Sequence, residues 1–200
     1  MRKLTLLAAL AVPAVFAATS VSAQAEMHKG FYASAGGGYG SNKVDLSNGG
    51  ESQNESGSGA TWYAALGWGL NQQWAIGAEW NYAQTGCGDC SSGEHITNSF
   101  YSAAITWFPM AKNNFFVKAN LGYGGNEISG GGSSGSEMGF SGGIGVGYDW
   151  ALGKGGFIVK PFANYLTQFS KSTYGGVFSG EGLEGTASLF QIGVGIGYKH

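Results

Sequence analysis

Leu189–His200 reads "LFQIGVGIGYKH", and its pattern decides the fold. From Phe190 every second residue is apolar: Phe190, Ile192, Val194, Ile196 and Tyr198. Gln191, Gly193, Gly195, Gly197 and Lys199 fall between them. Strict alternation of this kind belongs to a β-strand with one apolar face and one small or polar face. Which solvent meets the apolar face depends on the rest of the chain.

The alternation recurs upstream. "FYASAGGGY" places Phe31, Ala33, Ala35, Gly37 and Tyr39 on one face, and "WYAALGWGL" does the same with Trp62, Ala64, Leu66, Trp68 and Leu70. "WAIGAEWNY" sets Trp74, Ile76, Ala78, Trp80 and Tyr82 against Glu79 and Asn81. In "FYSAAITWF" the apolar set is Tyr101, Ala103, Ile105 and Trp107. "FVKANLGYG" sets Val117, Ala119, Leu121 and Tyr123 against Lys118 and Asn120. "FSGGIGVGYDW" sets Phe140, Ile144, Val146, Tyr148 and Trp150 against glycines and Asp149. "FIVKPFANYLTQF" is the least regular: Phe157, Val159, Pro161, Ala163 and Tyr165 face Lys160 and Asn164, and Phe162 fits poorly. With the last strand these make eight.

The connections between them alternate in length. Residues 40–60, 83–97, 125–137 and 170–186 read as long polar loops, whereas "NQQ", "PMAKNN" and "ALGKGG" are short. Up-and-down antiparallel strands put odd and even connections at opposite ends. One end therefore carries the tight turns and both termini, and the other carries the loops.

The opening "MRKLTLLAALAVPAVFAATSVSAQAEM" has a basic start, an apolar run and small residues at Ala23 and Ala25. It reads as a secretory signal peptide, 1–25, cut before Glu26, with 26–200 forming one domain. The mature chain has no arginine, and its eight lysines against 12 carboxylates give a net charge of −4. Such a chain is ill-suited to gripping nucleic acid. Glycine is 38 of 200 residues, but 14% aromatic content argues against disorder. Only 11% of residues are charged, against about 25% in soluble domains.

Export, low charge and abundant aromatics together point to a surface that meets lipid. Hydrocarbon offers no partner to backbone N–H and C=O groups, so strands must close on themselves there. The expected fold is all-β: an eight-stranded antiparallel up-and-down transmembrane β-barrel, with four long extracellular loops and three short periplasmic turns. Trp68, Trp74, Trp107 and Trp150 lie beside the short turns, and Trp62 and Trp80 lie toward the loops. Tryptophan prefers these two membrane–water boundaries.

"GFYASAGGGYG", the endings "GVGYDW" and "GIGYKH", and the aromatic terminal strand resemble small outer-membrane barrels of the OmpA/OmpX type. The resemblance covers about residues 27–200. It implies the outer membrane of a Gram-negative bacterium, with lipid and lipopolysaccharide as surroundings. It also implies that the barrel-assembly machinery reads the terminal strand, through Phe190, Ile192, Val194, Ile196 and Tyr198. A host or cell-surface ligand for the loops, and a non-enzymatic role in envelope integrity or adhesion, follow from the same likeness.

The inward residues Glu79, Asn81, Lys118, Asn120, Asp149 and Lys160, with Asn164 and Gln191, form a candidate lumen cluster. Eight strands leave an interior that side chains can fill. The cluster is then either a plug, in which Glu79 and Lys118 neutralise each other, or a narrow ion path. The inward glycines admit both readings, because they make room for large neighbours or leave water-filled space.

Cys87 and Cys90 in "GCGDC" read as a loop disulfide in an exported protein, with metal or redox chemistry as the alternative. The acidic loop residues, Glu127 and Glu137 among them, lack the spacing of a calcium loop. No cofactor motif is present: "GGIGVG" sits in a strand and precedes no helix. His95 in "HITN" is similar to the H-x-S-N motif of lipid A deacylases, with Thr97 at the position of their serine. A lipid-modifying enzyme is the second alternative to a passive barrel.

Overall fold

A computed structural model describes residues 28–48, 51–87, 95–110, 113–130, 133–153, 155–173 and 184–200. Eight long strands run through it: β1 (Gly30–Asn48), β2 (Glu51–Gly69), β3 (Trp74–Cys87), β4 (His95–Trp107), β5 (Phe115–Gly130), β6 (Ser133–Tyr148), β8 (Phe157–Gln168) and β10 (Glu184–Lys199). Two short pieces, β7 (Trp150–Ala151) and β9 (Ser172–Thr173), extend the ladders at the ends of β6 and β10. Neighbouring long strands pair antiparallel, and β1 pairs with both β2 and β10. The sheet is a closed ring of eight.

The ring confirms the faces read from the alternation. Leu66, Ile105, Leu121, Ile144, Val194 and Ile196 point outward and are exposed. Their neighbours in sequence point into the lumen. Phe162, which fitted the pattern poorly, is an inward residue and is buried. Aromatic side chains mark both edges of the outward apolar band. Phe31, Trp68, Trp74, Trp107, Trp150 and Tyr198 line one rim, and Tyr39, Trp62, Trp80, Tyr101, Tyr123 and Phe190 line the other.

Two expectations are corrected. Residues 40–60 and 125–137 are largely strand, because β1 and β2 pair without interruption to Asn48↔Glu51, and β5 and β6 pair to Gly130↔Ser133. A membrane-crossing strand needs about 9–11 residues; β1 and β2 have 19 each. The surplus carries the wall beyond the outer aromatic rim. Polar Ser/Asn/Gly sequence reads as loop, yet its backbone is held by the ladder. Glu137 is likewise no loop residue: it points into the lumen and is buried.

One seam differs from the rest. The β6–β8 ladder has seven rungs, Ser141↔Gln168 to Gly147↔Phe162, and resumes in the same register at Trp150↔Val159. The gap falls opposite Pro161. Proline has no N–H for a ladder, and its carbonyl oxygen faces Gly147 on β6. On the opposite side, away from β8, the Asp149 N–H donates to the Asn114 carbonyl at 3.0 Å, one step beyond the β5–β6 rung Phe115↔Tyr148.

Candidate functional site

The lumen is the richest collection of polar side chains, and the strand faces deliver them to it. Near mid-barrel the Glu79 carboxylate on β3 meets the Lys118 ammonium on β5. Asn81 Nδ2 donates to Glu79 Oε1 at 2.8 Å, and Asn120 Nδ2 donates to the same oxygen at 3.0 Å. Asn164 Nδ2 links this group to Gln191 Oε1 at 3.2 Å. Glu79 and Lys118 are 6% and 7% exposed, so neither charge could stand there without the other.

A second group closes the short-turn end. Asp149 accepts from Lys199 Nζ at 2.6 Å and lies 3.5 Å from Lys160 Nζ. Lys160 also sits 5.0 Å from the Phe116 ring centroid and 5.7 Å from that of Tyr32, within cation–π range. His28 stacks on Phe108 at 3.8 Å and accepts from Lys199 Nζ at its Nδ1, 3.3 Å away. Burial first, then the Lys199 charge, pulls the His28 pKa down to about 4, against a smaller upward pull from Asp149. His28 is therefore neutral at physiological pH.

A third group lies toward the outer end. Glu137 accepts from Gln168 Nε2 at 2.6 Å and from Asn126 Nδ2 at 3.0 Å.

Apolar layers separate these groups. Phe108, Phe116 and Ala75, with Tyr32 against them, cluster beside the Asp149 group. Phe100, Leu166, Leu189, Ala83 and Ala187 pack together elsewhere in the lumen. Large side chains fill notches left by inward glycines. A Cβ at Gly195 would meet the Tyr63 hydroxyl at 2.3 Å, and one at Gly36 would meet its ring at 2.7 Å. Gly67 and Gly77 make the same room for Tyr32, and Gly193 does so for Phe162. The small face of "QIGVGIGYK" is a seat for aromatic rings from the nearby strands β8 and β2.

Six sequence-selected residues thus fall into two clusters: Glu79, Asn81, Lys118 and Asn120 in one, Asp149 and Lys160 in the other. His28, Lys199, Glu137 and Gln168 complete the lumen groups and were not selected. For Lys199, Glu137 and Gln168 the strand parity alone was signal enough; His28 precedes the first strand and had none. Cys87 ends the backbone of β3, and its partner position Cys90 lies outside the described residues, as does the proposed signal peptide. His95 begins β4, paired opposite Gly86; its side chain also lies outside them. Among the described residues no group of three or more His, Cys, Asp or Glu could hold a metal ion.

Neither a protein-family model nor a curated protein matches the sequence. Solved structures do match the fold. Neisserial surface protein A matches over 85% of this chain and 97% of its own, with 12% identity and a TM-score of 0.56. The chain has the fold of the small outer-membrane β-barrels of the OmpA/OmpX-like type. Outer membrane protein AlkL matches over 91% of this chain and 96% of its own, at 12% identity and a TM-score of 0.51. Ail, the attachment invasion locus protein of Yersinia pestis, matches over 85% of this chain and 99% of its own, at 16% identity and a TM-score of 0.43.

Proposed function

We propose that this is a non-enzymatic outer-membrane barrel with a plugged lumen, which serves envelope integrity or adhesion from its outward surface and loops. In this reading the chain is exported by a cleaved signal peptide and inserted by the barrel-assembly machinery through its terminal strand. A disulfide between Cys87 and Cys90 would brace the second loop. The surroundings are lipid and lipopolysaccharide, and the loops face any cell-surface ligand.

The observation that carries the plug is side-chain contact between opposite walls: Asn164 Nδ2 on β8 donates to Asn81 Oδ1 on β3 at 3.4 Å, and Phe100 on β4 packs with Leu166 on β8 and Leu189 on β10. Contacts of this kind from wall to wall fill the lumen that eight strands enclose. A narrow pore is the second reading. It is favoured by buried polar atoms with no partner among the described residues, Asn98 Oδ1 and Nδ2, Asn120 Oδ1 and Gln191 Nε2, since such groups are commonly met by internal water.

Planar-bilayer recording separates the two. The plug predicts no reproducible unitary steps from the purified barrel, and steps that change on Tyr63→Ala in an already conducting protein would establish the pore. Detergent sensitivity and cell attachment of a deletion strain test the envelope role: a strain unchanged in both would contradict it.

A further inference from the structure

The chain enters β1 from across the short-turn mouth of the barrel. Gly30 has a φ of 98°, in the left-handed region that a Cβ disfavours, and a Cβ there would also collide with the His200 carbonyl. Just before this kink the His28 carbonyl lies against Gly69, at the end of β2. The His28 ring then reaches over the mouth. It stacks on Phe108, just past the end of β4, and accepts from Lys199 Nζ on β10. His28 is buried, whereas its neighbour Lys29 is exposed. One ring therefore stoppers this end of the lumen, two residues from a glycine hinge.

The ring walls a small cavity that it shares with Tyr32, Ala75, Thr106, Asp149 and Lys160. His28 Nε2 and Asp149 Oδ1 make no hydrogen bond among the described residues. The charges that face the ring are Lys199 from β10, Lys160 from β8 and Asp149 from the end of β6. Tyr32 of β1 adds a phenol, and the wall from β3 and β4 (Ala75, Thr106 and Phe108) carries no charge. Asp149 already faces two ammoniums, at 2.6 Å and 3.5 Å.

Protonation changes this arrangement in two ways. A neutral imidazole accepts at Nδ1, but an imidazolium only donates, so the bond from Lys199 is lost and two cations are left in contact. The ring also becomes a third cation around one carboxylate, in a site where a buried charge needs an anion of its own.

We propose that His28 is a pH-sensitive stopper: the neutral ring closes the short-turn mouth, and the imidazolium swings out about Gly30 and opens the cavity at Asp149 and Lys160 to water. The inference needs the closed barrel but neither reading of the lumen, because the Glu79–Lys118 pair lies farther in. Linkage sets its size. A ring that titrates at about 4 when seated and at 6.5 when free moves its balance toward the open form by up to about 300-fold on acidification.

Solution NMR of the isotope-labelled mature barrel, refolded in micelles and titrated from neutral to acid pH, tests the stopper. The His28 signal is assigned by its loss in His28→Phe. The ring is expected to stay neutral, with its proton on Nε2, down to a midpoint near 4. At that midpoint the amides of 29–32 should lose protection from exchange, after correction for the intrinsic effect of pH, while those of β2 and β3 hold. His28→Phe should show no such transition, and Lys199→Met, which removes a repelling charge, should raise the His28 midpoint. A midpoint at the free value of 6.5 would show that the ring is not seated. A low midpoint with residues 29–32 unmoved would show that it titrates in place, and the same opening in His28→Phe would give it another origin. Each of these results overturns the proposal.

Discussion

Single residues in this lumen are interdependent because the charges are buried. Glu79→Ala leaves the Lys118 ammonium without its carboxylate, and should cost about 3–5 kcal/mol, the range for breaking a buried ion pair. Replacing both residues with apolar ones of similar size should recover most of that loss. Urea unfolding in vesicles measures both; a single variant as stable as wild type would contradict the pairing. His28 gives a pH dependence of known sign. Its folded pKa is about 4 against 6.5 for the free side chain, so as pH falls the unfolded chain takes the proton first. This contribution to stability is complete above about pH 6.5 and is lost as pH drops toward 4. His28→Phe keeps the ring on Phe108 and should flatten that slope; an unchanged slope would place its origin elsewhere. At this scale direction was legible throughout and partnership in part. Parity put Glu79, Lys118 and Asp149 on the inner face, and opposite sign alone paired Glu79 with Lys118, while the partner of Asp149 depends on barrel stagger, which no local pattern encodes. Lys118 meets Glu79, 39 positions away, and Asp149 meets Lys199, 50 away.

At the scale of the strand, alternation was nearly complete information. Period two fixes a face once one side is apolar, and the exposed sets on β2, β4, β5, β6 and β10 follow it throughout. Strand ends were illegible for a physical reason. Asn, Asp and Gly are depleted in strands and Ser is common in turns, so "SNKVDLSN" and "ESQNESGSG" look like loop until a 19-rung ladder is seen to hold them. The assigned faces predict unequal tolerance to charge. Arg at Ile144, outward in mid-band, should destabilise the barrel by about 2–4 kcal/mol, and Arg at Ser56, beyond the aromatic rim, should do almost nothing. Equal losses would refute the faces. The β6–β8 seam should be the first to open. Hydrogen exchange is expected to be faster at Gly143–Tyr148 than along β1–β2, and Pro161→Val, by adding an N–H toward β6, should slow it and contribute about 1 kcal/mol. Uniform protection around the ring would contradict this.

The molecule as a whole turns a soluble protein inside out. Its buried polar and charged side chains are gathered in the lumen, and the outward surface between the aromatic rims carries Leu, Ile, Val, Phe and all six tryptophans, the latter exposed by 37–56%. No aqueous monomer tolerates an apolar girdle of that extent, and closure of the sheet removes the edges that would otherwise need covering. The central claim is that acyl chains cover this girdle. Tryptophan fluorescence of the folded barrel in vesicles of chain-brominated phosphatidylcholine tests it most directly, since all six indoles report at once. The account predicts strong quenching by the brominated chains and little by acrylamide in the water. A folded protein whose emission ignores the bromine and is quenched from the aqueous side would contradict it.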